Sequence, residues 1–232
     1  MLSALRTFIL ALVTALLLVF LYCTSLYSST KQIALTFDDG PNPKVLPNLL
    51  SLLYTYHIHA TFFVIGSVAK DNPIWLMRET AEKHEVENHS WGHENMKKSY
   101  KAKGESAIRT SLEKTSTVIT EATDTPPHFF RPPYWETNPD ITAIVEKSGY
   151  HIMRLEKPDI NSLDYEDVDK HRSVDILIDR VKKLIETREK HGITMHVLVF
   201  HELPLTVEAL KILIPYFQNE GYTFLRLDKF NN

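Results

Sequence analysis

The sequence predicts an α/β protein in which helices cover a parallel sheet, in the pattern of a (β/α) barrel of about seven strands. Three features of the chain lead to this class. Short apolar runs alternate with longer runs of helical periodicity. The run at residues 60–65 is almost continuously apolar, as expected for a strand buried on both faces of a parallel sheet. Polar motifs follow predicted strands, at the end where such barrels carry their sites.

The N-terminal segment differs from the rest of the chain. Arg6 is the only charged residue before Lys31, and residues 8–27 are almost wholly apolar. About 20 apolar residues span a bilayer, although a basic residue before an apolar run also describes a cleaved secretory signal. The length favours an uncleaved membrane anchor over residues 1–30, with a short cytoplasmic N-terminus, followed by one domain over residues 31–232.

Strands and helices alternate along the predicted domain without an internal repeat or linker. The first strand, at residues 33–35, precedes a helix at residues 43–57 whose apolar residues recur at helical spacing. The later predicted strands lie at residues 60–65, 150–155, 196–200 and 222–225. The later predicted helices lie at residues 73–84, 106–121, 137–148, 174–191 and 204–219.

Charge and cysteine content restrict the class of partner. Lysine and arginine number 26 against 29 acidic residues, giving a net charge of −3. The chain therefore lacks the basic surface that nucleic acid requires, and we exclude nucleic acid as a main partner. The single cysteine lies in the N-terminal segment, so the predicted domain cannot form an intrachain disulfide.

Paired acids stand at the end of the first predicted strand. Asp38 and Asp39 lie between an apolar run and Gly40, which places charge at the mouth of a sheet, where α/β proteins bind ligands. Taken alone, the same residues are also ordinary turn chemistry. Further polar motifs beside later strands favour a functional site, and they lie at residues 89–93, 130–134, 159–165 and 197–202.

Two histidines four residues apart, His89 and His93, add metal-binding chemistry. Together with one carboxylate from the first motif, two imidazoles make a typical zinc ligand set. Three protein ligands leave one coordination position open, as in catalytic rather than structural zinc sites. The sequence therefore predicts a catalytic metal site.

In this order and context, the motifs resemble those of the NodB-homology polysaccharide deacetylases, carbohydrate esterase family 4, over about residues 31–228. The resemblance implies a distorted (β/α) barrel and metal-dependent removal of N- or O-acetyl groups from polysaccharides such as chitin, peptidoglycan or xylan. We assign Asp39, His89 and His93 as ligands of Zn²⁺, with Co²⁺ or Ni²⁺ as alternatives. Asp38 is then free to act as the general base.

The resemblance also implies roles for the other motif residues. His201 is the expected general acid for the leaving amine. Arg131 is expected to hold Asp38 ionised, and Asp164 to pair with His201 and keep it protonated. The residues implied to contact the substrate are Tyr134, through its backbone N–H, Trp135 at the rim, and Leu198 and Tyr165 around the acetyl methyl.

Several positions depart from the family pattern without removing a proposed ligand, base or acid. Residue 202 is glutamate where aspartate is frequent, and Tyr165 stands in place of a tryptophan. Trp135 stands where glycine is common, so its ring either stacks on a sugar or only packs against the protein. These departures affect the shape of the acetyl pocket and the choice of substrate.

We expect a membrane-tethered, extracytoplasmic deacetylase, or a secreted one if the N-terminal segment is cleaved. Its catalytic domain is expected to be monomeric and to act on N-acetylglucosamine units of peptidoglycan or a chitin-like glycan. One alternative is an esterase that removes O-acetyl groups from a polysaccharide. Another is a non-catalytic carbohydrate-binding protein on the same scaffold, but that would require a lost ligand or base, and none is lost.

Overall fold

Parallel strands form a single sheet in the computed structural model, which describes residues 31–154 and 159–230. The predicted N-terminal anchor lies outside these residues. The strands described are β1 (Gln32–Gly40), β2 (Thr61–Val64), β3 (Glu85–Asn88), β4 (Phe129–Phe130), β5 (His151–Ile152), β6 (Asp159–Asn161), β7 (Met195–His201) and β8 (Thr223–Leu225).

The strand order is that of a barrel opened along one seam. Seven strands follow the order β5-β4-β3-β2-β1-β7-β6, and the short β8 pairs with the start of β1. β1 is central, because it pairs with β7 from Gln32 to Asp38 and with β2 from Thr36 onward. Within the part of the chain that the structure describes, no pairing joins β5 to β6. The predicted α/β fold with a distorted barrel of about seven parallel strands is therefore confirmed.

Helices connect most of the strands and cover the sheet. They are α1 (Leu46–Thr55), α2 (Gly66–Asp71), α3 (Pro73–Ala81), α4 (Met96–Lys103), α5 (Glu105–Thr123), α6 (Pro139–Lys147), α7 (Asp164–Asp169), α8 (Val174–Glu189) and α9 (Pro204–Asn219). The long predicted helices are confirmed to within a few residues. The short elements α2, α4, α7, β3, β4 and β6 were given no predicted range, because so few residues show no clear period. None of the helices described is long and apolar enough to cross a membrane.

The core has two layers because successive strand residues point to opposite faces. Leu35 and Leu198 belong to the large cluster in which the sheet packs against residues of α1, α8 and α9. Ala34, Val197 and Phe63 belong to a smaller cluster on the other face. Thr36 and Asp38 lie two and four residues after Ala34, so their side chains also point into the barrel. They lie closer than Ala34 to the carboxyl end of β1.

Candidate active site

A buried ion pair forms the inner layer of the site. Asp38, near the end of β1, is 4% exposed, and Arg131, directly after β4, is fully buried. Arg131 Nη1 lies 2.5 Å from Asp38 Oδ1 and 3.0 Å from Thr36 Oγ1. The guanidinium carbon of Arg131 lies 4.0 Å from the centroid of the ring of Phe63, which belongs to the smaller core cluster described above. The structure thus brings together the predicted base and the arginine predicted to hold it.

An irregularity in β1 separates the two adjacent acids. Phe37 pairs with Phe62 and Gly40 pairs with Val64, so β1 has one more residue than β2 over this interval. Such a β-bulge breaks the strict alternation of side chains and re-aims one of them. Asp39 has the left-handed φ of 67°. The bulge explains how two neighbouring aspartates can both direct their side chains toward the same end of the barrel.

The outer layer is the group of Asp39, His89 and His93. Asp39 Oδ1 lies 3.3 Å from His89 Nε2 and 3.1 Å from His93 Nε2. One ligand atom from each residue lies within 4.8 Å of the others, which is the arrangement a shared metal ion needs. Burial alone would raise the pKa of Asp39, but hydrogen bonds from His89 and His93 and the charges of His89 and His201 lower it well below its usual range. Asp39 is therefore ionised at neutral pH.

The histidine at the start of this group is oriented by the main chain. His89 follows β3, is 3% exposed, and its Nδ1 lies 2.8 Å from the carbonyl oxygen of Arg131. A carbonyl oxygen only accepts, so Nδ1 donates to it, and this contact directs Nε2 of His89 toward Asp39, where its lone pair could bind a cation in place of a proton. Two electron-pair donors directed at one point fit a divalent cation.

A second acid–imidazole pair lies at the end of β7. Nδ1 of His201 lies 2.7 Å from Oδ1 of the fully buried Asp164. Asp164 also accepts from the backbone N–H groups of His201 and Tyr165 and from the hydroxyl of Thr206. Burial alone would lower the pKa of His201, but the hydrogen bond and charge of Asp164 raise it to about 9. His201 is therefore cationic at neutral pH, with Nε2 3.9 Å from Asp39 Oδ2.

The turn Pro133–Trp135 brings two aromatic residues to the site. Tyr134 and Trp135 both have positive φ values, 58° and 57°. The Tyr134 hydroxyl lies 3.1 Å from Nδ1 of His93, and the residue is 62% exposed. The Trp135 ring centroid lies 5.3 Å from the guanidinium carbon of Arg131. Trp135 therefore has a packing contact of its own, whether or not it also stacks on a sugar.

The two residues predicted around the acetyl methyl lie in different places. The Tyr165 ring centroid lies 5.1 Å from that of His201. Leu198 is 1% exposed in the cluster between sheet and helices, so it lies on the face of β7 opposite to His201. This placement contradicts the predicted pocket role of Leu198. Val199, two residues before His201, is the residue that shares its face, and counting by twos along the strand would have identified it.

A further residue, Glu202, joins the ends of β1 and β7, although the sequence marked it only as a departure from the family pattern. It is 3% exposed, and its Oε2 accepts the backbone N–H of Asn42 at 2.5 Å. A Cβ atom at Gly40 would lie only 1.9 Å from Glu202 Oε1, so a larger residue there would force the buried Glu202 carboxylate to move. Burial and the charge of Asp39 raise the pKa of Glu202 to about 8, although the Asn42 N–H opposes the rise.

Comparison with known proteins agrees with this geometry. The family model described as polysaccharide deacetylase matches residues 27–153, more than half of the chain. The peptidoglycan-N-acetylglucosamine deacetylase PgdA of Listeria monocytogenes is 31% identical over 202 residues, which are 87% of this chain and 39% of PgdA. A chitooligosaccharide deacetylase of a Bradyrhizobium species is 34% identical over 122 residues, which are 53% of this chain and 54% of that enzyme.

A solved structure shows the same fold. The peptidoglycan deacetylase PdaC from Bacillus subtilis superimposes with a TM-score of 0.71 at 27% identity, covering 87% of this chain and 90% of that structure. This chain spans about two fifths of the length of PgdA and about half of the Bradyrhizobium enzyme. The protein belongs to the polysaccharide deacetylase family, carbohydrate esterase family 4.

Proposed function

We propose that this protein is a metal-dependent deacetylase that removes N-acetyl groups from N-acetylglucosamine units of peptidoglycan or a chitin-like glycan. The observation that carries the proposal is the grouping of the Asp39, His89 and His93 donor atoms within 4.8 Å of one another. The presence of an aspartate and a histidine beside this group supports hydrolysis rather than binding alone. The names of the relatives support an acetylated amino-sugar polymer as substrate.

We infer that Asp39, His89 and His93 hold the metal, since one carboxylate and two imidazoles suit zinc, and imidazole also suits Co²⁺ and Ni²⁺. A bound divalent ion would polarise the acetyl carbonyl and make water a better nucleophile at neutral pH. An amide is a poor electrophile, so hydrolysis without such help would be slow. The family is generally metal-dependent, which agrees with this donor set.

Proton transfers are assigned to two residues. Asp38, paired with Arg131, takes a proton from the attacking water. His201, held cationic by Asp164, gives a proton to the leaving nitrogen, which departs as an amine. The backbone N–H of Tyr134 is proposed to donate to the acetyl oxygen as negative charge develops on it.

We further propose that residues 1–30 anchor the enzyme in the membrane and that residues 31–232 form the extracytoplasmic catalytic domain. The apolar run and the peptidoglycan substrates of named relatives support a wall polymer as the target. A protein that starts at Ser29 should be soluble, monomeric and active on short oligomers. If this shortened protein fails to fold, the N-terminal segment is part of the domain.

The proposed activity is tested by measuring acetate release from N-acetylglucosamine oligomers, peptidoglycan and acetylxylan under the same conditions. Each substrate is incubated with the metal-free protein, with and without added Zn²⁺, and with the Asp38→Asn variant as the control. We expect metal-dependent acetate release from the amino-sugar substrates. Release from acetylxylan alone would indicate an O-acetyl esterase. Binding of a glycan without any acetate release would indicate a non-catalytic protein.

A further inference from the structure

The two histidines of the proposed metal site are oriented by different kinds of group. His89 Nδ1 meets the main-chain carbonyl of Arg131 at 2.8 Å, deep in the protein. His93 Nδ1 instead meets a side chain, the hydroxyl of Tyr134, at 3.1 Å. The His93 side chain is 26% exposed, so it lacks the tight packing that surrounds His89. Its orientation therefore depends more on this one contact.

The difference between a carbonyl and a hydroxyl has a chemical consequence. A carbonyl oxygen can only accept, so it fixes the proton of His89 on Nδ1. A tyrosine hydroxyl both donates and accepts, so it can satisfy Nδ1 of His93 with or without a proton there. When Nε2 of His93 donates its proton to Asp39, the hydroxyl donates to Nδ1. When Nε2 has given up its proton to bind a cation, Nδ1 carries the proton and the hydroxyl accepts it.

We propose that Tyr134 is a positioning residue for the metal, holding His93 through its hydroxyl in both the free and the metal-loaded protein. The inference rests on the proposed function, because it takes Asp39, His89 and His93 as the ligands. It assigns to the side chain of Tyr134 a role separate from that of its backbone N–H. A hydroxyl that accepts from Nδ1 keeps the lone pair of Nε2 directed at the cation.

Ring packing and backbone conformation support this role. The Tyr134 ring meets the His93 ring edge-on, with centroids 4.6 Å apart. Both residues have left-handed φ values, 58° for Tyr134 and 55° for His93, which non-glycine residues adopt at a cost. Pro132 and Pro133 restrict the backbone before the tyrosine. The hydroxyl is thus held in place although 62% of Tyr134 is exposed.

The test is the Zn²⁺ affinity of the Tyr134→Phe variant, measured by competition with a chromophoric chelator. Phenylalanine keeps the ring and removes only the hydroxyl. We expect Zn²⁺ binding to weaken by roughly 10- to 100-fold, the usual effect of losing a hydrogen-bond partner of a metal-bound histidine. The absorption spectrum of the Co²⁺-loaded variant should also change, while the melting temperature stays near that of the wild type.

Tyr165→Phe is the matched control, since it removes the hydroxyl of a ring that packs edge-on against His201, which is not a proposed ligand. Its Zn²⁺ affinity should equal that of the wild type. The His93→Ala variant distinguishes failure of the proposed role of Tyr134 from failure of the proposed metal site. If His93→Ala loses Zn²⁺ while Tyr134→Phe binds as the wild type does, the role of Tyr134 is overturned and the metal site stands. If the wild type binds no Zn²⁺, the proposed metal site and the role of Tyr134 both fall.

Discussion

The inner and outer layers of the site place two adjacent, chemically identical residues in opposite environments. Asp38 is buried beside Arg131, which is itself buried and lies over the Phe63 ring. The Asp39 side chain is 40% exposed and faces two imidazoles. The inner layer is a buried ion pair whose two members are fixed by each other. The other is built from groups that can exchange a proton for a metal ion.

The two environments suit the two different tasks that we propose for these neighbouring residues. Asp38, the proposed proton acceptor, is held in position by Arg131, because loss of the arginine would leave a buried carboxylate unpaired. A metal site needs access, since the ion must enter and one coordination position must receive substrate. The bulge in β1 makes this division possible, because it lets both side chains serve the same mouth of the barrel.

The largest expected effect comes from replacing the two aspartates one at a time. Asp38→Asn should keep its metal and lose activity by about 10²- to 10⁴-fold, as expected for a general base. Asp39→Ala should lose most of its metal affinity as well as its activity, because it removes the anionic ligand. Metal content and acetate release of the two purified variants measure both effects. Near-normal turnover of Asp38→Asn would place the base elsewhere.

A second prediction compares the stability contributions of the layers. Arg131→Met should lower the free energy of unfolding by about 3–5 kcal/mol, because it leaves Asp38 as an unpaired buried charge. Asp39→Ala should change it by less than about 1 kcal/mol in metal-free protein, because its ion pairs are partly exposed. Urea unfolding of the two variants measures the difference. The double change Asp38→Leu with Arg131→Met should recover much of the loss, and equal losses in both layers would contradict the comparison.

The third and smallest effect concerns pH. His201 must be protonated to donate, so kcat/KM should fall as the pH rises through its pKa, which Asp164 raises to about 9. Asp164→Asn removes this carboxylate while burial still opposes the cation, so the alkaline limb should move down by roughly 1–3 pH units. A cation at Asp39 lowers the pKa of His201 in both proteins, so the displacement between their pH profiles is what tests the pairing. Profiles that superimpose would exclude Asp164 as the group that sets this limb.

The elements and most of the site were predictable because both leave a local signal. Helical periodicity located α1, α5 and α9, and the motifs named Asp39, His89 and His93 as a group that the structure brings together. The signals for all of these lie within short stretches of sequence.

What the sequence did not predict depends on geometry between distant stretches. The extra residue in β1 exists only relative to β2, so no property of β1 alone reveals it. Leu198 was placed by motif likeness, and the alternation of β7 sends it into the core instead. The contact of Glu202 with Gly40, a residue 162 positions earlier, could not be predicted from the residues around either of them.

The pairing of β1 with β7 also sets the order in which this protein can fold. Asp39, His89 and His93 all belong to the first 93 residues, yet β1 has its longest pairing with residues 195–201. Joining strands so far apart in sequence requires closing a long loop, which slows folding and delays it until that part of the chain exists. A chain whose synthesis has passed His93 therefore contains all three proposed ligands. It still lacks β7, which pairs with the strand that carries Asp39. The candidate site can therefore be completed only after residues 195–201 have been synthesised, and these residues also carry His201, the proposed general acid.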